Sequence, residues 1–169
     1  LTAINKEELI KALIDEADHF YDLDTPLHYE GALSLFKEAS ALRPEDPVLL
    51  ASVVSAQAHL WEGRLNDTKA TAEITNLIEK GRAADPQLSA FYRAEALMAY
   101  AQKRFDVAIE KVGYATESDP LDLESKVLQA EFLNASGDTN QAKMVIENVL
   151  LQGPTKVRAY FVAAQNALD

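Results

Sequence analysis

The sequence predicts an all-α fold, a solenoid of antiparallel helix pairs, and three observations carry that reading. Apolar residues recur at three- and four-residue spacing in nearly every segment, and none sustains the period-two alternation of a strand. Proline closes a helical stretch at Pro44, Pro86, Pro120 and Pro154, the last two intervals being 34 residues each and the first 42. The stretch Ser89 to Pro120 reads as two amphipathic helices joined by a polar turn, and related stretches precede and follow it. A regular spacing of helix stops marks stacked pairs, each too small to bury its apolar face alone.

The first helix is predicted over Lys6 to Tyr21, with Leu9, Ile10, Leu13, Ile14, Ala17 and Phe20 on the apolar side. Asn5 and Glu8 have the spacing of a capping box. Asp24-Thr25-Pro26 interrupts the pattern, and a second helix runs from about Pro26 to Ala41 before Arg43-Pro44 stops it. The third, about Pro47 to Trp61, is apolar on most sides, as a helix enclosed between neighbours should be. Glu62-Gly63-Arg64 closes it, and Asn66, Asp67 or Thr68 caps a fourth helix that ends at Ala84 before Asp85-Pro86.

Helices then follow near Gln87–Gln102, Phe105–Thr116, Leu121–Ala135, Thr139–Leu151 and Val157–Leu168. Gly137-Asp138 and Gly153-Pro154 supply turns between them. The units are therefore 6–44, 47–86, 89–120 and 121–154, with a terminal helix over 157–168, in one repeat domain spanning 1–169. A small residue stands twelve positions before the proline at Ala32, Ala108 and Ala142, with Ile74 the exception. Another stands five before it at Ala39, Gly81 and Ala115, with Val149 the exception. Small residues are expected where the two helices of a pair cross closely.

These positions resemble the tetratricopeptide repeat family over essentially the whole chain. The pattern is met by an aromatic before the second helix (Tyr29, Phe105), the small residue three positions on (Ala32, Ala108), a large apolar (Phe36, Val112, Ile146) and the closing proline. Tyr92 and Ala96, then Ala130 and Leu133, match the first helices of the third and fourth units. The first unit departs by about three extra residues around Asp24–Pro26, and the second by about eight across Gly63–Thr71. The resemblance implies a right-handed superhelix whose first helices line a concave groove for a partner peptide or helix.

Composition narrows the function. Formal net charge is −11 with a pI near 4.7, against nucleic acid and anionic membrane surfaces, which call for clustered Lys and Arg. Acidity serves solubility first and, second, favours a basic partner segment. The absence of cysteine excludes disulfides and thiolate sites and is compatible with cytoplasm or periplasm alike. No apolar run reaches the ~20 residues of a membrane span, and Leu1-Thr2-Ala3 is neither an initiator Met nor a signal pattern, so a processed chain or an excised fragment is expected.

Chemistry has few candidates. Asp15, His19 and Asp22 share one helix face at metal-ligand spacing, but no second helix supplies further ligands, so a solvated acidic face is expected. There is no phosphate loop, no HExxH and no nucleophile setting, so neither catalysis nor a cofactor is expected. The sequons at Asn66 and Asn134 read as chance matches. Binding residues carried over by repeat position are Lys11, Asp18 and Tyr21, then His59, then Arg93, Leu97 and Tyr100, then Glu131 and Asn134. Of the carboxylate clamp used by one subfamily only Arg93 fits, since Ile14, Asp18, Ala51 or Ser52, and Ala90 occupy the other positions.

The last helix carries one charge, Arg158, and presents Tyr160, Phe161, Ala164 and Leu168. Such a face is expected to continue into further repeats or to self-associate. The expected function is a non-catalytic protein-interaction scaffold, the alternative being a regulatory or sensor domain of a longer protein. Arg93→Glu and Tyr100→Ala are expected to weaken partner binding without disturbing the fold.

Overall fold

A computed structural model describes residues 5–153 and 157–166, and its helices follow the predicted order. They are α1 (Lys6–Asp22), α2 (Pro26–Leu42), α3 (Pro47–His59), a 3-10 turn (Trp61–Arg64), α4 (Thr68–Ala84), α5 (Ser89–Ala101), α6 (Phe105–Ser118), α7 (Leu123–Ser136), α8 (Thr139–Gln152) and α9 (Val157–Asn166). The described residues contain no strand. Pro154 and Leu168 lie outside the described residues.

Local chemistry explains where these helices start. Asn5 Oδ1 accepts from the Glu8 amide at 2.9 Å while Glu8 Oε2 accepts from the Asn5 amide at 3.1 Å, completing the capping box. Asp46, Asp67, Asp122 and Asp138 cap α3, α4, α7 and α8. Each carboxylate satisfies exposed amides and complements the positive end of the helix, a contribution of about 1 kcal/mol. Asp67 is thus the cap among the three candidates before α4, and part of the chain's acidity serves capping. At the other ends, Asp85 and Asp119 take extended backbone before proline and turn the chain by accepting from Gln87 and Leu121 amides, each at 3.0 Å. Gly137 closes α7 at φ 94, a conformation open to glycine at no steric cost.

Consecutive helices pack antiparallel, most extensively α1 on α2, α5 on α6 and α7 on α8. The α3–α4 pair is looser because the 3-10 turn separates its members. α3 ends at His59, short of the predicted Trp61, and Trp61 instead opens that turn and is fully buried against the α3–α5 core. The central core joins Val54, Trp61, Ile74, Phe91, Leu97, Leu128 and Phe132 from α3 through α7. A C-terminal core joins Ile146 and Val149 to Ala159 and Val162, seating α9 on α7 and α8.

Gly81 corrects one expectation. A Cβ there would lie 2.1 Å from Cζ of Phe91, so the small residue admits a ring from α5, the first helix of the next pair. The close approach is between pairs, not within the α3–α4 pair. No helix among the described residues is long and apolar enough to cross a membrane.

Candidate protein-interaction groove

The odd-numbered helices carry polar side chains towards one another. Tyr21 (α1) donates to Glu124 Oε1 (α7) at 2.6 Å, and His59 Nε2 (at the end of α3) lies 3.0 Å from the same oxygen. Arg93 (α5) reaches Glu124 Oε2 at 3.3 Å, pairs through Nη1 with the Asp122 cap, and donates through Nη2 to Ser55 Oγ at 3.4 Å. Ser89 and Ser125 also donate to Asp122 Oδ2, at 3.0 and 2.6 Å. The His59 ring stacks on Tyr29 at 4.3 Å with a 2° interplanar angle, and Tyr29 donates its hydroxyl to Asp24.

The electrostatics fit a fixed, ionised network. Burial alone would raise the Glu124 carboxyl, but the Arg93 guanidinium, with hydrogen bonds from His59 and Tyr21, holds it well below the usual carboxylate range. Burial works against the Arg93 charge, yet the Glu124 carboxylate first, with Asp122, overcompensates and raises it. Burial and then the Glu124 charge push the Tyr21 hydroxyl far up, so it stays a neutral donor.

Beyond this network a cavity of about 770 Å³ opens between the α1–α2 turn, α5, α7 and α9. Leu23, Asp24 and Thr25 form one wall; Tyr100, Glu131, Asn134 and Ala135 form another; Arg158, Phe161 and Gln165 of α9 close the third. Arg158 grips Glu131 Oε2 through Nε at 3.0 Å and Nη2 at 2.8 Å, and its Nη1 reaches Asp24 Oδ1 at 3.1 Å. The Tyr100 ring is fixed by stacking on Phe132 at 4.6 Å. Asn134 lines the cavity, but both of its side-chain amide atoms are closed to solvent and without a hydrogen-bond partner in the protein, like those of Gln57 in the core. Leu23 and Phe161 remain 45% and 65% exposed.

The nine residues singled out in the sequence therefore separate into four sets. Tyr21, His59 and Arg93 meet around Glu124, and Tyr100, Glu131 and Asn134 line the cavity. Leu97 is buried in the central core and presents no contact surface, while Lys11 pairs with Asp15 on an exposed stretch of α1 that also carries Asp18. Burial and the crowding charges of Asp22 and Asp15 raise the Asp18 carboxyl. Arg93 is only 9% exposed and both of its Nη groups are engaged, so Arg93→Glu is expected to disturb the fold as well: a carboxylate there would face Glu124 and Asp122. On α9, Tyr160, Phe161 and Ala164 are exposed, with Phe161 turned to the cavity. Among the described residues no group of three or more Asp, Glu or His is arranged to hold a metal ion.

Sequence reasoning missed Glu124, Asp122 and Asp24. Arg158 was conspicuous as the one charge of an apolar helix, a signal that a carboxylate partner should be sought for it.

Stacked antiparallel helix pairs with a polar seam along their first members define a helical-repeat solenoid of the tetratricopeptide type. Comparison with solved structures gives the same fold. The crystal structure of TTC0263, a thermophilic TPR protein of Thermus thermophilus, matches with a TM-score of 0.61 and 15% identity over 95% of this chain and 100% of that one. A mutant form of MamA matches with a TM-score of 0.52 and 15% identity over 96% of this chain and 86% of that one. No family profile and no curated protein matches the sequence.

Proposed function

We propose that the chain is a non-catalytic scaffold that docks an extended, basic segment of a protein partner in the cavity between the α1–α2 turn, α7 and α9. The observation that carries this reading is the lining of the cavity, where two carboxylates face one guanidinium beside apolar side chains that stay exposed. The volume suits a few residues of peptide. Asp24 and Glu131 outnumber Arg158, so a Lys or Arg of the partner is favoured and a carboxylate repelled. Leu23 and Phe161 offer apolar area to a neighbouring side chain.

Panning a random peptide library against the chain tests this. Enriched sequences should place Lys or Arg beside an apolar residue. Phe161→Ala, which removes an exposed ring from the cavity wall, should weaken the selected peptides about tenfold, ~1.4 kcal/mol, with little change in thermal stability. Glu131→Gln should flatten the salt dependence of binding. A selected set with no basic bias, or one whose affinity ignores both variants, would overturn the assignment.

A further inference from the structure

Arg158 ties the last helix to the first interhelical turn, three residues beyond the Tyr21–Glu124 contact that joins α1 to α7. α9 is seated on α7 and α8 through Ala159 and Val162, and Glu131 on α7 holds the guanidinium side-on through Nε and Nη2. That grip leaves Nη1 free to reach across the cavity mouth to Asp24, 134 residues earlier in the chain. We propose that Arg158 is an ionic latch between the last helix and the first interhelical turn, setting how far the cavity stands open.

The geometry makes the two halves of this contact unequal. The Glu131 half, two donors on the one oxygen Oε2, is local to the α7–α9 packing, so it persists whether or not the cavity is closed. The Asp24 half is a single hydrogen-bonded ion pair whose partners are 28% and 25% exposed, within reach of water and salt. Opening at this mouth, with the Tyr21–Glu124 contact as the pivot, therefore breaks one contact of the guanidinium and leaves it paired with Glu131. The position of Asp24 is itself fixed. Its backbone is left-handed at φ 50, uncommon for a residue with a Cβ, and its carboxylate accepts from the Tyr29 hydroxyl. Tyr29 in turn stacks on His59, so the latch rests on the polar seam. Small rotations at the interfaces between pairs then move α9 relative to the first interhelical turn about that pivot.

The absence of cysteine makes the latch directly measurable, because Leu27→Cys and Leu151→Cys give two unique labelling sites, 73% and 85% exposed in α2 and α8. Spin labels there report the separation of the first pair from the last by pulsed electron resonance. Asp24→Asn is the informative variant: Asn tolerates left-handed backbone and keeps an oxygen for Tyr29, so only the charge is lost. The expected result is a longer and broader distance distribution in Asp24→Asn with unchanged helical circular dichroism. Sodium chloride should shift the parent in the same direction and the variant hardly at all. Identical distributions in parent and variant at low salt would overturn the latch. Should Asp24→Asn lose helix content, the salt titration of the labelled parent decides alone: a shift supports the latch and a constant distance overturns it.

Discussion

Replacing Arg93 with Ala is expected to destabilise the fold by about 3–5 kcal/mol, because it leaves buried carboxylates without their cation. Arg93 and Asp122 side chains are each only 11% exposed, so water is a poor substitute for the guanidinium there. For a chain of this size the thermal midpoint should fall by roughly 10 °C, read by circular dichroism at pH 7. The deficit belongs to the unpaired carboxylates, so Arg93→Met combined with Asp122→Asn and Glu124→Gln should recover most of it. Acid provides a further check. Glu124 is depressed in the fold, so its stabilising contribution is full above the ordinary carboxylate range and is lost as pH falls through and below it. Arg93→Ala lacks that contribution at any pH, and the gap between parent and variant should narrow on acidification. A gap that stays constant between pH 7 and pH ~3 would show that Arg93 acts through packing alone.

Gly81→Ala is expected to be destabilising by about 1–3 kcal/mol, although Ala is otherwise the better helix former by about 1 kcal/mol. The added methyl would stand 2.1 Å from Cζ and 2.5 Å from Cε1 of Phe91, whose ring is fully buried. Relief requires α4 and α5 to separate. Phe91→Ala should cost about 3–5 kcal/mol by opening a cavity in the same place. The pair should be strongly non-additive, with Gly81→Ala harmless or helpful once Phe91 is reduced to Leu. Urea titrations of the single and double variants test this, and a stabilising Gly81→Ala in the parent would refute the wedge.

Most of the helices are legible in the sequence because their causes are local. The capping box at Asn5, the prolines after Asp85 and Asp119 and the apolar spacing of each segment act within a few residues, and a linear reading captures them. Trp61 falls outside α3, against expectation, because a buried indole continues the apolar pattern whether the backbone is helical or has tightened into a 3-10 turn. The close neighbour of Gly81 escapes a linear reading for a related reason: spacing identifies a position that must be small, but not which helix fills the space.

The groove is legible only in outline. Tyr21, His59 and Arg93 stand out in the sequence as polar residues on first helices, and they do converge. What they converge on, Glu124, lies 103 residues from Tyr21, and no pattern in the sequence states that the stack curls enough to bring them together. The same curvature turns Arg93 from a surface candidate into a structural one, and places Asp24 opposite Arg158. The cavity, with Asn134 and Tyr100 on its wall, exists because of that curvature.

Linear repeat arrays can be shortened from either end, each loss removing one interface and leaving the rest intact. The cross-ties from Glu124 to Tyr21 and His59, and from Arg158 to Asp24, give this chain a different response to truncation. Deleting α1 and α2 would strip partners from groups in α7 and α9, far along the chain from the cut. The unit of cooperative folding should therefore be the whole described array and not the individual pair.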